Sequence, residues 1–533
     1  RRRRILCRDN LSMTAASLDP ELAAASRWPA HLAAIDIGSN SFRLEIGQRV
    51  QGRYRRVDYL KETVRLGAGL DADGLLTEAA AARGLDCLGR FAARLEGYVA
   101  QQVRAVATQT LREARNRDLF LTRAQQVLGL PIEVISGREE ARLIYAGVAR
   151  LQPSDALRLV VDIGGRSTEM IVGRRTEALR AESFQVGSVG LSMKYFGDGR
   201  FTESAFRDAQ IEAGAELEEA LEPFGAPHWH EALGSSGTVG AVAQVLAANA
   251  IGDGRITPAG LRWLIEQCLA AGHADRLVLA GLKDDRRAVI GGGLAILYTL
   301  ATQFGIDELR PARGALRQGV IFDLEERRRA GAAQAPGHEL RDASVDELQR
   351  RFGVDAAQAA RVVRIAAHLY AEALPDASAD SRRELRWAGA LHEVGMMVSH
   401  HDHHRHSAYV LAHVDAAGFS QSQLRRIAEL VLGQRGGLRK LEPQLASESY
   451  AWQVLCLRIA VICCHARSES DTGALKIRRH GAEAVLDCPA GWLDAHPRTL
   501  HLLRNEVDSW ARNGPLKLQL GGADAASLVA DPA

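Results

Sequence analysis

The sequence predicts an α/β fold: two units of alternating strands and helices, then a mainly helical region and a small terminal α/β cap. The first observation behind this is a motif that occurs twice. Residues 34–47 read AIDIGSNSFRLEIG and residues 160–173 read VVDIGGRSTEMIVG. Aligned on Asp36 and Asp162, both carry Asp-Ile-Gly, a Ser five residues on (Ser41, Ser167) and a Gly eleven on (Gly47, Gly173). The second is strand–helix alternation through the first 325 residues, which implies a partly parallel sheet. The third is a change of period beyond residue 340, where apolar residues fall at helical spacing almost throughout.

The elements follow in order. Residues 1–30 read as a disordered N-terminal extension, with Met13 a candidate natural start. Within a first domain over 31–142, IDIGSNSFRLEIGQRV and YRRVDYLKETVRLG are strand-like, and LTEAAAARGLDCLGRFAARLEGYVA has the apolar spacing of a helix. VRAVATQT is a strand ending in a polar turn, LREARNRDLFLTRAQQVLG a helix, PIEVISG a short strand, and REEARLIYAGVARL a helix. A second α/β domain occupies 143–325, with its strands beginning at RLVVDIGG. GAAQAPG, within 326–338, is a linker by composition. Residues 339–470 form a helical domain, and LKIRRHGAEAVLDCPAGWL with LKLQL suggests a small α/β cap and tail over 471–533.

Composition excludes several classes. At 47% hydrophobic and 25% charged residues with a formal net charge of +2, overall charge does not announce a polyanion partner, so a basic groove must be local. The seven Cys contain no CxxC pair, which fits reduced thiols better than a disulfide framework or a zinc site. No apolar run approaches the roughly 18 residues of a spanning helix.

Each copy of the motif describes a β-hairpin with a tight polar turn. Such a turn exposes successive backbone N–H groups, which bind phosphate, and an Asp before it can hold Mg²⁺ against phosphate oxygens. Gly38, Ser39, Asn40 and Ser41 are the donors in one loop. Gly164, Gly165, Ser167 and Thr168 are those of the other. Arg166 either adds a guanidinium to this cradle or points to solvent, and the solvent reading is preferred slightly. ISGREEARLIY puts Glu139 and Glu140 in the first turn of a helix, where acids are also simply favoured by the helix dipole. ATQTLREA opens a helix near Thr110, and Arg112 sits where it could reach a phosphate. GSSGT offers Ser235, Ser236, Gly237 and Thr238, small residues with exposed N–H groups, at a strand-to-helix turn.

Taken together, DIGSNS (36–41), ATQTLREA (107–114), ISGREEARLIY (135–145), DIGGRSTE (162–169), GSSGT (234–238) and GALRQG (314–319) resemble the Ppx/GppA phosphatases. These are exopolyphosphatases and guanosine pentaphosphate phosphohydrolases of the actin-like ATPase superfamily. The resemblance runs from about residue 32 to beyond 500. It implies two actin-like (ribonuclease H-like) domains facing a cleft, then a helical HD-like domain. By the same resemblance Glu140, directly before Ala-Arg, is the catalytic base and Glu139 the spare, while Asp36, Asp162 and Glu169 manage Mg²⁺, or Mn²⁺ in its place. A third Gly usually stands at the position of Arg166. The implied reaction is processive release of orthophosphate from the end of inorganic polyphosphate, with conversion of guanosine pentaphosphate (pppGpp) to the tetraphosphate as the alternative. A kinase of the superfamily needs an acceptor-binding Asp base, which the placement of Glu140 argues against. The intact Glu140 and both Asp argue against a sensor without turnover. A homodimer, a cytoplasmic location with peripheral association at the inner membrane face, and no nucleic-acid partner are the further expectations.

Residues 392–413 hold seven of the 17 His. An HD site needs adjacent His-Asp, and this chain has His392-Glu393, with His401-Asp402 as a chance alternative in a polar loop. A structural role is expected, in a channel or basic surface for long substrate, with Arg425, Arg426, Arg435, Arg439 and Lys440 supplying charge.

Overall fold

A computed structural model describes residues 30–333, 339–467, 475–489 and 491–521. The chain divides into two compact units, 1–336 and 337–533. The expected N-terminal extension with Met13 lies, apart from residue 30, outside the described residues.

The first unit holds two five-stranded sheets of the same topology. In the first lobe, β1 (Leu32–Ile37), β2 (Ser41–Val50), β3 (Arg53–Thr63), β4 (Val103–Ala107) and β5 (Ile132–Val134) lie in the order β3-β2-β1-β4-β5. β1 to β3 form an antiparallel meander, and β4 and β5 continue parallel to β1. In the second lobe, β6 (Arg158–Ile163), β7 (Thr168–Arg174), β8 (Glu177–Phe184), β9 (Glu231–Ser235) and β10 (Leu309–Pro311) take the order β10-β9-β6-β7-β8, again a meander followed by parallel strands. The repeated motif is therefore the central hairpin of each lobe. β1 is buried along its whole length, as a central strand covered on both faces must be.

The repeated Gly has a packing reason. Both meanders shift register at the same place, between Ile46 and Gly47 and between Val172 and Gly173. An aromatic ring covers each bulge: a Cβ on Gly47 would meet the Tyr54 ring at 2.4 Å, and one on Gly173 the Tyr145 ring at 2.3 Å. Only a residue without a side chain fits.

Helices α1 (Glu78–Arg94), α2 (Gln109–Glu113), α3 (Arg117–Leu128) and α4 (Gly137–Leu151) belong to the first half of the unit, and α5 (Ser236–Ala248) and α6 (Leu316–Ala333) to the second. The single helix expected from LREARNRDLFLTRAQQVLG is broken: α2 stops at Glu113 and α3 starts at Arg117. Asn116 supplies the reason, since its side chain bonds both backbone groups of Leu76 instead of continuing a helix. The boundary placed at 142/143 falls inside α4, which packs along α6 so closely that a Cβ on Gly319 would lie 1.8 Å from the Leu143 carbonyl oxygen. Buried Asp323 on α6 ties this pair to the first sheet, accepting from Arg104 at 2.8 Å, Arg142 at 2.6 Å and Arg327 at 2.6 Å. Of the stretch expected as linker, 326–333 belong to α6, which runs through to Ala333, and 334–338 lie outside the described residues.

The second unit is mainly helical. Its helices include Leu340–Arg351, Ala356–Ala373, Ala379–Leu391, His403–His413, Gln421–Gly433, Glu448–Cys463 and Pro497–Asn513. Strands β11 (Lys476–His480), β12 (Glu483–Asp487) and β13 (Lys517–Gly521) form one small sheet, with β12 and β13 parallel. Arg458 is buried in an ion pair with Glu506, whose carboxylate also accepts from the Trp510 indole. Among the described residues no helix is long and apolar enough to cross a membrane.

Candidate active site

The two hairpin turns face each other across a cleft of about 400 Å³. They nearly touch, since a Cβ on Gly165 would lie 3.1 Å from the Ser39 Cβ. Asp36, Gly38, Ser39, Asn40 and Ser41 line one side, and Asp162, Gly164, Gly165 and Ser167 the other. Glu140, Ser235, Ser236, Gly237 and Thr238 also reach the cleft. Ser236 opens α5 with φ at +100°, a strained value for a residue with a side chain, and its hydroxyl accepts from the N–H groups of Thr238 and Val239.

Glu140 sits in the first turn of α4, capped by Ser136, whose hydroxyl accepts from the Glu139 N–H at 3.2 Å. Its carboxylate accepts from Arg112 Nη1 at 2.8 Å. Burial pushes the Glu140 carboxyl up to about 7; Arg112 opposes the rise, and Asp36 and Asp162 reinforce it. A carboxylate that exchanges a proton near neutrality is suited to general-base work. Glu139 faces the other way, into the salt-bridge network, bonding Arg142 at 2.7 and 2.9 Å.

Of the expected metal carboxylates, Asp162 and Glu169 are direct neighbours in register on β6 and β7. Burial raises both, and Glu169 is pushed well up with Glu140 and Asp162 adding to the effect. Acids crowded in this way are the donor chemistry that a hard divalent cation relieves, so the residues fit Mg²⁺. Asp36 is occupied differently: Arg43 lies 3.0 Å and Arg317 3.5 Å from its carboxylate. Among the described residues no three His, Cys, Asp or Glu side chains form a ready cage.

Three expected phosphate contacts are placed otherwise. Arg112 does not line the cleft: it is spent on Glu140, on the Ile135 carbonyl at 3.1 Å and on Gln109 Oε1 at 2.8 Å. The reason is that α2 has only five residues, so Arg112 hangs back over the start of α4. Arg166 neither joins the cradle nor points to solvent. It crosses to the first lobe, bonding Glu113 at 2.7 Å and the Gly67 carbonyl at 3.4 Å. Thr168 is fully buried, and its hydroxyl donates to the Val186 carbonyl at 2.6 Å.

The cleft also holds basic residues that sequence reasoning missed: Arg43, Arg56, Lys61, Arg286, Arg313 and Arg317, with Tyr59 between them. Arg56 and Arg317 each lie 5.3 Å from the centre of the Tyr59 ring. Arg317 is braced by buried Glu45 at 3.2 Å, which also accepts from Gln318 and Tyr54. A signal existed for Arg317, inside GALRQG, and for Arg43, which pairs with Asp36 across the hairpin. Arg56 joins Tyr59 and Lys61 only because the bulge leaves Val57 unmatched, and strict alternation hides that. Arg286 carries no motif at all.

In the second unit, His392 is buried and hydrogen-bonded to the Gly389 carbonyl at 2.7 Å, while Glu393 pairs with Arg467. His401 is exposed beside Asp402, which takes a left-handed backbone at φ +54°. Arg426 pairs with Glu384 at 2.6 Å and Arg439 with Asn513 at 3.0 Å.

Residues 46–328 match the Ppx/GppA phosphatase family and residues 340–507 match Ppx/GppA phosphatase, domain III. Over 490 residues the chain is 36% identical to the guanosine-5'-triphosphate,3'-diphosphate pyrophosphatase of Aeromonas hydrophila, covering 90% of this chain and 97% of that protein. The same-named protein of Aeromonas salmonicida is 35% identical over 489 residues, with the same coverage. A crystal structure of an exopolyphosphatase from Cytophaga hutchinsonii superposes with a TM-score of 0.51 at 25% identity, covering 55% of this chain and 98% of that one.

Proposed function

This chain belongs to the Ppx/GppA phosphatase family, and on that premise we propose that it removes the terminal 5'-phosphate of pppGpp by attack of water. The reading of the motifs puts polyphosphate first. The two relatives matched over 97% of their length are both named for the nucleotide, which moves pppGpp ahead. Polyphosphate remains the second reading, favoured by likeness to an exopolyphosphatase and by the row of basic side chains in the cleft.

The observation that carries the reading is Glu140, set in the cleft between two matched hairpin turns, paired to Arg112, with burial pushing its carboxyl up to about 7. Phosphoryl transfer asks for positioning and charge neutralisation more than for covalent chemistry. The turns at 38–41 and 164–167 hold the terminal phosphates through N–H and hydroxyl donors. Glu140 orients the attacking water and takes its proton, with the Arg112 guanidinium fixing which carboxylate oxygen faces the cleft. Arg43, Lys61, Arg286 and Arg317 offset the charge of the remaining phosphates. Asp162 and Glu169 would hold Mg²⁺, whose contribution when bound is to neutralise charge on the transferring phosphate.

The test is phosphate release by the purified protein with Mg²⁺, comparing pppGpp with long-chain polyphosphate, and Glu140→Gln as control. A higher kcat/KM for pppGpp, lost in the variant and lost on chelation, supports the proposal. A higher value for polyphosphate transfers the assignment to the second reading. Activity that survives in Glu140→Gln removes Glu140 from the mechanism.

A further inference from the structure

Five side chains form one hydrogen-bonded line from the second phosphate loop to the base. Arg166, in that loop, donates from Nε to Glu113 Oε2 at 2.7 Å. The other oxygen of Glu113 accepts from Gln109 Nε2 at 2.7 Å. Gln109 Oε1 accepts from Arg112 Nε at 2.8 Å, and Arg112 Nη1 donates to Glu140 Oε2 at 2.8 Å. Chemistry fixes the direction of the line. A carboxylate only accepts and a guanidinium only donates, so one orientation of the Gln109 amide satisfies both neighbours. Glu113 therefore determines which face Gln109 shows to Arg112.

The line also crosses between lobes. Arg166 belongs to the second lobe's hairpin; Glu113, Gln109 and Arg112 all lie on α2 of the first. The same guanidinium bonds the Gly67 carbonyl, and the Gly67 N–H donates to the Ser39 carbonyl at 2.8 Å, so Arg166 is linked to both phosphate loops. α2 is one short turn seated in the first lobe's core by Leu111, and its polar side chains Gln109, Arg112 and Glu113 carry the line.

We infer that Glu113 is a positioning residue that, together with Arg166, couples the seating of the second phosphate loop to the orientation of the Arg112–Glu140 pair. The inference rests on the reading of Glu140 as base but adds a dependence that reading does not need. When phosphate draws the 164–167 turn into place, Arg166 moves with it, and Glu113 and Gln109 hold Arg112 so that Glu140 presents one oxygen to water. Without the link the loops still bind phosphate, while the base loses its fixed orientation.

A double-mutant cycle tests this, using Glu113→Gln, Arg166→Gln and the pair, on whichever of pppGpp or polyphosphate the wild type hydrolyses faster. Each single change should lower kcat by roughly ten- to a hundredfold, the scale of a slightly misplaced catalytic group, with KM little altered. The double variant should be no worse than either single, and Glu113→Asp should recover part of the loss. Losses that multiply, or a rise in KM at constant kcat, overturn the inference, because Arg166 would then act on substrate or on the lobes alone. Hydrogen exchange reads the link without catalysis, and so separates its failure from failure of the proposed function. Arg166→Gln should speed exchange in 109–113 and 136–140 as Glu113→Gln does; unchanged exchange at 136–140 overturns the coupling even if the enzyme is active.

Discussion

Arg112 holds Glu140 by a single oxygen, Nη1 to Oε2 at 2.8 Å, while Arg112 Nη2 is buried with no hydrogen-bond partner among the described residues. The pair is thus monodentate. A bidentate contact would fix both carboxylate oxygens and depress the proton affinity further. A monodentate one leaves the second oxygen for water and leaves burial as the dominant influence.

Glu140→Gln is expected to be both inactive and more stable at alkaline pH. Loss of the base costs on the order of 10²–10⁴-fold in turnover. The Glu140 carboxyl is raised from 4.5 to about 7 in the folded protein. Its contribution to stability is therefore fully present below about 4.5 and lost as pH rises through about 7. Thermal melts at pH 5 and 8 should show the wild type losing more stability than the variant, by up to roughly 3 kcal/mol. Equal losses would mean that Glu140 is not strained by burial.

Arg112→Ala should move the acid limb of the kcat/KM profile to higher pH. The guanidinium is the main influence holding the Glu140 carboxyl down, and burial then acts unopposed. The pH–rate profile checks it; a limb that stays in place would assign that titration to another group.

Asp323→Asn should destabilise the first unit by about 3–5 kcal/mol, because three buried or half-buried guanidinium groups lose their shared partner. The three arginines hold the Asp323 carboxyl well below the usual range. That contribution is present above the ordinary aspartate value near 4 and is lost as pH falls through the depressed one. Denaturant titrations at descending pH should show the wild type weakening on acidification and the variant changing less.

Gly173→Ala should cost about 1–3 kcal/mol by overpacking against the Tyr145 ring. Gly190→Ala, in the helix Ser188–Tyr195 with nothing within 4 Å of an added Cβ, should be neutral or stabilising by up to roughly 1 kcal/mol. Urea midpoints of the two variants moving together would contradict the bulge geometry.

Local pattern made much of this legible. The paired Asp-Ile-Gly hairpins, the placement of Glu140 at a helix start and the terminal strands follow from period and turn chemistry, which act over a few residues. The roles of Arg112 and Arg166 do not. Arg112 depends on α4, whose Glu140 lies 28 residues along the chain, and Arg166 on Glu113, 53 residues away and in the other lobe; local pattern encodes neither pairing. The basic side chains were hidden for a similar reason, since the bulge at Val57 reverses which face Arg56 joins. α4 shows the limit on boundaries, because a helix shared between lobes carries no composition change at the point where one domain is taken to end.

The two hairpins match in backbone but not in charge. Across the strand pair from Asp36 stands Arg43, and across from Asp162 stands Glu169. Here one hairpin sets a cation beside its acid where the other sets a second acid. A duplicated scaffold thereby acquires an electrostatic asymmetry that its backbone does not have.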